Sequence, residues 1–222
     1  SDVVAAIAVD AAAKLEPLPT RARTGQWLTL NATMLVPATG ARVVLLAPGE
    51  SPRTIPSSYS NGKIVARFAP NRPGAFTVQV LADLSSGPRP VLEASVFADT
   101  APPPFMPDLS APGEEAAGND RGEVALTKMV AALRKEQSLP PLQRSAALDK
   151  IARAHVEEMR KANKVAHDVG DGDPVARFEA AGIRAKETGE NVANAQTVKL
   201  AHRALYASPS HRANLLKRDF TH

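Results

Sequence analysis

The sequence contains no cysteine, and aromatic residues make up only 4% of its 222 residues. A disulfide bond, a thiolate metal ligand and a cysteine nucleophile are therefore excluded. No apolar run approaches the ~20 consecutive residues of a transmembrane helix, so no membrane span is expected. Charge is spread thinly: 9 Lys and Arg stand against 10 Asp and Glu up to Asn119, and 18 against 13 from Asp120 onward. Such a distribution lacks the basic cluster and stacking aromatics of a nucleic-acid-binding surface.

Short runs in which apolar and polar residues alternate fill the chain before residue 100. They cover residues 28–34, 63–68, 76–80 and 92–96, with a shorter apolar run at 43–46. A period of two is typical of half-buried strands, and turn-forming residues separate the runs. The spacing predicts an antiparallel, immunoglobulin-like β-sandwich over residues 1–98. This region has no histidine, and we interpret it as a spacer, adhesion or docking module, with Trp27 as a core or edge aromatic.

Residues 99–120 are rich in proline and glycine, which predicts a semi-stiff linker. Phe105 and Met106 are the residues through which it would contact either domain.

Helical periodicity begins after Arg121 and defines a second domain over residues 121–222. Leu126, Met129 and Leu133 mark one apolar stripe, and further helices are predicted at about 145–164, 174–181, 196–207 and 208–218. Asp173-Pro174 and Ser208-Pro209 each supply an N-cap followed by a favoured first helical residue. We expect His155 to be packed in the core and His202 to lie on a solvated helix face.

Three polar segments lie at the edges of these helices: Val165–Asp168, Gly189–Ala193 and Ser208–Leu216. With the Leu139-Pro140-Pro141 turn and the Ala152–Met159 helix, they resemble the bacterial, SCP-like branch of the CAP superfamily over about residues 122–222. The resemblance implies a C-terminal α/β/α sandwich and a cleft that holds two histidines and two acids. On the matching motifs, these are His167, Glu190 and His211, and the second acid has no match.

The predicted role of this trio has three alternatives: a metal site, a cleft for a different ligand, or a structural hydrogen-bond network without a ligand. Two imidazoles and one carboxylate suit Zn²⁺ or another divalent cation, with water in the fourth position. They also suit general acid–base chemistry. Asn191, Ser208, Arg212 and Asn214 are predicted to support the trio. No catalytic residue is assigned.

Two other arrangements of polar residues were weighed against this trio. Ser208 and Ser210 beside His211 suggest a Ser-His-Glu hydrolase, but no nucleophile elbow precedes them and Ser208 is better explained as a helix cap. Asp168, Asp171 and Asp173 do not follow the spacing of an EF-hand and are predicted to serve turns and caps.

The α+β chain as a whole is predicted to be exported, because the resemblance implies a secreted or cell-surface protein and the first residue is Ser1 rather than methionine. It stops where the family's last strands would begin, so we expect a CAP domain truncated before those strands. The predicted function is binding of a small molecule, a lipid or a protein, and its own C-terminal fragment is a further candidate partner. Alternatives are a metal-assisted, peptidase-like hydrolase and a purely structural interaction protein.

Overall fold

The computed structural model describes residues 11–104 and 110–222. The predicted contacts of Phe105 and Met106 lie outside these residues. The strands are β1 Ala13–Leu15, β2 Arg21–Ala22, β3 Leu28–Met34, β4 Gly40–Leu46, β5 Arg53–Ile55, β6 Ser57–Ser60, β7 Lys63–Phe68, β8 Gly74–Leu84 and β9 Gly87–Ala98. The helices are a short 3-10 helix Glu114–Ala117, then α1 Gly122–Glu136, α2 Ala146–Ala162, α3 Pro174–Ala180, α4 Val198–Ala207 and α5 Pro209–Leu215.

The strands form two sheets that share one apolar core. One sheet has four strands in the order β1-β3-β7-β6, and the other has five in the order β2-β9-β8-β4-β5. All pairs are antiparallel except β2 with β9. Leu30, Ile64 and Phe76 are each at most 1% exposed between the sheets, and each buried side chain of this size contributes ~1.5–3 kcal/mol.

Alternation along the strands confirms the period-two prediction. In β7, Ile64, Ala66 and Phe68 are buried whereas Lys63, Val65 and Arg67 are exposed. Trp27 was predicted in the core or at its edge and is instead 64% exposed. Its ring lies under the guanidinium of Arg67, 5.1 Å from the centroid, and this contact keeps an aromatic on the surface because a cation is attracted to the face of an indole.

Strand β8 packs against both halves of the molecule. Phe76, Val78 and Val80 face the sandwich core, while Gln79 on the opposite face is only 1% exposed. The cover on that second face comes from α5, which packs on β8 and β4. The central part of β8 is therefore buried on both sides, which half-buried alternation alone does not predict.

The helical part is built on α1 and on capped helix starts, of which the cap at Asp173 was predicted. The side chains of Ser145, Asp173 and Thr197 accept the capping N–H bonds of α2, α3 and α4, respectively. In α1, Met129 and Leu133 are fully buried. Residues 110–222 contain no strand, so the three-layer sandwich implied by the family resemblance is absent from this stretch and helices alone are present.

Residues 110–120, placed in the linker by composition, pack against α1 and α4. Glu114 is 4% exposed and forms an ion pair with Arg203, with Oε1 2.6 Å from Nε. His202 was predicted on a solvated face and is instead fully buried. Its Nε2 donates to the Pro112 carbonyl at 2.9 Å. The prediction was wrong because the segment that covers this helix face is polar and irregular, and therefore has no apolar periodicity.

Helix α5 is held at both ends. Its first turn contacts Gln79, and beyond its last turn the buried guanidinium of Arg134 donates to the carbonyls of Leu215 and Lys217, both at 2.9 Å. This double attachment fixes the short helix that carries His211.

Within the described residues, no helix has both the length and the apolar character needed to cross a membrane.

Candidate functional site

The loop that carries His167 is attached to the hairpin between β8 and β9. The backbone N–H groups of His167 and Asp168 both donate to the carbonyl of Ser86, each at 3.1 Å. The next residue, Gly87, has φ 97°, and a Cβ built on it would lie 2.6 Å from Cβ of His167. The hairpin approaches the histidine this closely only because residue 87 has no side chain.

His167 and Glu190, which the family resemblance places in one cleft, form a direct hydrogen bond. Nδ1 of His167 lies 2.8 Å from Oε1 of Glu190. A carboxylate accepts, so the ring donates its Nδ1–H and leaves Nε2 as the atom that can meet a ligand.

Arg177 completes this cluster from α3 and was not among the predicted site residues. Its Nη2 donates to Oε2 of Glu190 at 2.5 Å. Its Nη1 donates to the carbonyls of His167 at 2.9 Å and of Gly172 at 2.7 Å. Arg177 is 8% exposed, so one buried guanidinium neutralises the acid and anchors the histidine loop together.

Burial by itself would raise the pKa of Glu190. The hydrogen bond from His167 and the positive charge of Arg177 outweigh it, and the pKa of Glu190 lies below its usual value. Glu190 is therefore an ionised hydrogen-bond acceptor at neutral pH, and it is not available as a general acid.

A second buried pair lies behind the first. His155 is 2% exposed on α2, as predicted for a core residue. Its Nε2 donates to the carbonyl of Ala166 at 3.0 Å, and its Nδ1 lies 2.7 Å from Oδ2 of Asp171. Burial pushes the pKa of Asp171 up, but the hydrogen bond and charge of His155, the backbone N–H of Val169 and the charge of Arg177 together outweigh it, and the pKa is lowered. This histidine is thus part of a polar network and does not rest on apolar packing alone.

His211 approaches the same region from α5 with different partners. Its Nδ1 lies 2.8 Å from Oγ of Ser208. Burial and then the charge of His167 lower the pKa of His211, so its neutral form is favoured. Ser208 occupies the N-cap position of α5, but its side chain makes no capping bond, contrary to the expected cap role, because its Oγ bonds to His211 and Gln79 instead.

His167, Glu190 and His211 line one cleft of about 500 Å³. One wall comes from the five-stranded sheet and the other from the helical half. The apolar part of the lining includes Val44, Leu81, Pro88, Pro90, Val175 and Ala213. Neither His167 nor His211 has a hydrogen-bond partner at Nε2 among residues 11–104 and 110–222. The cleft therefore presents two imidazole edges beside an apolar surface.

The predicted supporting residues lie between these segments. Asn191 donates to the carbonyl of His211 at 3.0 Å. Asn214 donates to the carbonyl of Glu190 at 3.2 Å and to Oδ1 of Asn191 at 2.9 Å. Arg212 turns away to the carbonyl of Tyr206 and stacks on that ring, 3.8 Å from its centroid. The two asparagines thus tie the Gly189–Ala193 segment to α5, while Arg212 braces α4 against α5.

The donor set does not fit the three-ligand metal site that the family resemblance suggests. Glu190 is already engaged by His167 and Arg177, and Nδ1 of His211 is engaged by Ser208. In the described part of the chain, no three His, Asp or Glu side chains are grouped so as to hold a metal ion. A cation would have to displace Arg177 from Glu190, so metal binding stays a prediction that needs a direct measurement.

The arrangement also separates the members of a Ser-His-Glu triad. Ser208 bonds to His211, whereas Glu190 bonds to His167. Within the part of the chain that the structure describes, no carboxylate is hydrogen-bonded to His211, and a triad needs the acid on the same ring as the serine.

Arg177 and Gln79 are the functional neighbours that sequence reasoning missed. Arg177 stands near the polar segments in the sequence but has the pattern of an ordinary helix residue. Gln79 lies in the alternating run of β8 at a position expected to face water. No local signal identifies either residue, because each acquires its partners only when distant segments meet.

The class of this part of the chain follows from sequence comparison. Residues 127–222 match the family described as CAP: Cysteine-rich secretory protein family. The C-terminal part of the chain is therefore a CAP domain, as the motifs predicted.

One curated relative is the uncharacterized protein YkwD of Bacillus subtilis (strain 168), 35% identical over 102 residues. The match covers 45% of this chain and 40% of that protein, so the chain spans well under two thirds of its relative.

Two solved structures are similar at low scores. An extracellular protein containing a SCP domain from Bacillus anthracis str. Ames has a TM-score of 0.42 at 15% identity, over 94% of this chain and 82% of that one. The fibronectin(III)-like modules of Clostridium thermocellum CbhA have a TM-score of 0.30 at 18% identity, over 39% of this chain and 93% of that one. Scores of this size bear on neither the fold nor the function of the chain.

Proposed function

We propose that this CAP-domain protein is an exported binding protein whose cleft takes an amphipathic small molecule or lipid. The polar group of the ligand lies against Nε2 of His167 and His211, and its apolar part lies against the sheet wall. The N-terminal half is an immunoglobulin-like sandwich in this proposal, and residues 121–222 form the CAP domain. The match of residues 127–222 to the cysteine-rich secretory protein family supports export.

The single observation that carries this proposal is the composition of the cleft. Two imidazoles, whose Nε2 atoms have no hydrogen-bond partner among the described residues, share about 500 Å³ with apolar side chains from both halves. Pockets for small molecules are mostly apolar, with a few convergent polar groups that fix orientation. Glu190 and Arg177 compensate each other at 2.5 Å, and Arg42 and Asp173 in the lining carry opposite charges, so the cleft carries little net charge and favours an uncharged ligand.

Binding of the amphipathic fluorophore N-phenyl-1-naphthylamine tests the proposal. Saturable fluorescence enhancement is expected with the wild-type chain. Ala213→Phe adds a ring at the cleft lining and is expected to weaken binding at least about tenfold, since the added volume excludes the probe. Ala154→Phe, at an exposed position of α2, is the matched control and should bind as the wild type does.

A second cavity of about 720 Å³, lined by Leu148, Phe178 and Ile183 among others, is an alternative site for the probe. The comparison of the wild type with Ala213→Phe distinguishes the two sites. Equal binding by the wild type and Ala213→Phe would place the probe in the second cavity and refute the assignment to the histidine cleft. Absence of any saturable enhancement would also refute it.

A further inference from the structure

Gln79 of the N-terminal sheet is in direct contact with the segment that carries His211. It is 1% exposed, and its Oε1 accepts from the backbone N–H of Ser210 at 3.0 Å. A backbone N–H only donates, so this contact fixes which end of the amide is oxygen. The NH₂ group then points to Oγ of Ser208 at 3.0 Å and to Oε2 of Glu93 at 3.0 Å.

The orientation of the amide determines what Ser208 does next. Its Oγ accepts from Gln79, and its second contact is Nδ1 of His211 at 2.8 Å. Among the described residues, Nδ1 is the acceptor available to the serine hydroxyl. The hydroxyl hydrogen of Ser208 is therefore donated to Nδ1 of His211. Nδ1 then carries no proton, and the imidazole hydrogen lies on Nε2.

The two rings of the cleft then present opposite groups. His167 donates Nδ1–H to Glu190, so its neutral ring offers a lone pair at Nε2. His211 accepts at Nδ1 and offers Nε2–H. A hydroxyl or an amide satisfies both rings, because each of these groups donates and accepts. A carboxylate only accepts and an ammonium only donates, and each leaves one ring unpaired.

We infer that Gln79 is a positioning residue, which acts through Ser208 to hold His211 as an Nε2–H donor. The cleft is thereby matched to an alcohol or an amide. The N-terminal sheet thus sets the protonation of a site residue, in addition to forming one wall of the site. The ligand class rests on the proposed function, whereas the state of the His211 ring does not.

The ring state is tested on the full chain with ¹⁵N-labelled histidine, by two-bond ¹H–¹⁵N correlation above the pH range in which imidazoles titrate. His211 is expected to be protonated at Nε2 in the wild type. Gln79→Met removes the amide at similar volume and is expected to give a mixture of the two tautomers. Gln196→Met, at an exposed glutamine of the helical half, should keep the wild-type pattern.

A His211 ring protonated at Nδ1 in the wild type would overturn the inference, and that measurement needs no variant to fold. A Gln79→Met spectrum identical to that of Gln196→Met would overturn the role of Gln79. Circular dichroism checks that the variants are folded. If Gln79→Met does not fold, Ser208→Ala serves in its place: it removes the hydroxyl between Gln79 and His211 and is expected to give the same mixture of tautomers.

The ligand class is tested with 1-decanol, decanamide, decanoate and decylamine at concentrations below micelle formation. The alcohol and the amide are expected to shift the Nε2 resonances of both rings. The two ions should bind about tenfold more weakly, because each leaves a polar group unpaired. Equal binding of all four would refute the donor–acceptor match but not the proposed binding function. Absence of binding by all four, with the expected ring states, would refute the binding function and leave the role of Gln79 standing.

Discussion

Arg177 and Glu190 form a buried ion pair, with Nη2 2.5 Å from Oε2, and the same guanidinium donates to the carbonyl of His167. This ion pair organises the cleft. It neutralises the charge of Glu190 and orients the Glu190 carboxylate toward His167, and the same guanidinium holds the loop that carries His167. Each of the following predictions tests one consequence of this arrangement or of the contacts around it.

Replacing Arg177 by methionine removes the cation that pairs with Glu190 and Asp171. Removing one partner of a buried pair costs ~3–5 kcal/mol, because the remaining charge stays desolvated. Arg177→Met is therefore expected to lower the free energy of unfolding by about 3 kcal/mol, measured by urea denaturation at neutral pH.

Arg160→Met is the matched control for this substitution. Arg160 pairs with Glu157 at 3.0 Å, but its side chain is 73% exposed, and exposed pairs contribute less than about 1 kcal/mol. Equal losses in the two variants would contradict a structural role for the buried pair.

Gly87→Ala tests the close approach of the hairpin to the histidine loop. The new Cβ would lie 2.6 Å from Cβ of His167, at φ 97°. Because backbone and loop must separate, we expect a loss of about 1–3 kcal/mol beyond the backbone strain, with a displaced ¹⁵N resonance of the His167 ring.

The strain alone is measured by Gly62→Ala, since Gly62 also has a positive φ of 73° but no atom within 4 Å of its Cβ position. If both substitutions leave the His167 resonance unmoved, the contact between hairpin and loop does not position the ring.

Glu114→Gln tests whether the segment before α1 is anchored electrostatically. The hydrogen bond from Arg203 is the main cause that lowers the pKa of Glu114 below 4.5. A lowered pKa in the folded state stabilises the protein above the unfolded-state pKa, and this contribution is lost as the pH falls through the folded-state value.

The free energy of unfolding of the wild type should therefore exceed that of Glu114→Gln at neutral pH, and the difference should shrink with acidification below pH 4.5. Glu115→Gln at the exposed neighbouring position is the control and should show no such convergence. A difference that does not change with pH would mean that the ion pair does not anchor the segment.

Zinc titration tests the predicted metal site directly. Because Arg177 and His167 already engage Glu190, we expect no saturable one-site heat in calorimetry with Zn²⁺. A saturable signal that His167→Ala and His211→Ala both abolish would instead support the metal site and the metal-assisted hydrolase. Retention of the signal by both variants would place the zinc elsewhere, and His222→Ala at the exposed end checks for adventitious binding.

Sequence reasoning succeeded where the signal is local. Alternation in 28–34 and 63–68 predicted β3 and β7, and the Asp173-Pro174 pair marked the start of α3. The family resemblance assigned His167 and Glu190 to one cleft, and the two side chains are hydrogen-bonded. Strands β1 and β2, with three and two residues, were missed because so short a run shows no period.

Burial of polar residues was the main source of error. His202 was assigned to solvent and is fully buried, since its helix faces an irregular segment that carries Pro112 and Glu114. Ser208 was assigned to a cap, yet its hydroxyl contacts His211. In both cases a partner far away in the sequence decides the outcome, Pro112 for His202 and Gln79 for Ser208.

The sequence by itself determined the longer strands, the helices and the CAP motifs that carry His167 and His211, because these depend on residue types at short, fixed spacings. Only the tertiary structure decided that Gln79 contacts Ser208, that Arg177 occupies the carboxylate of Glu190, and that one sheet of the first half walls the cleft of the second. The physical reason is that a hydrogen bond or an ion pair depends on the position of both partners in space. Those positions are set by the packing of α5 on β8 and β4, which no stretch of the chain encodes alone.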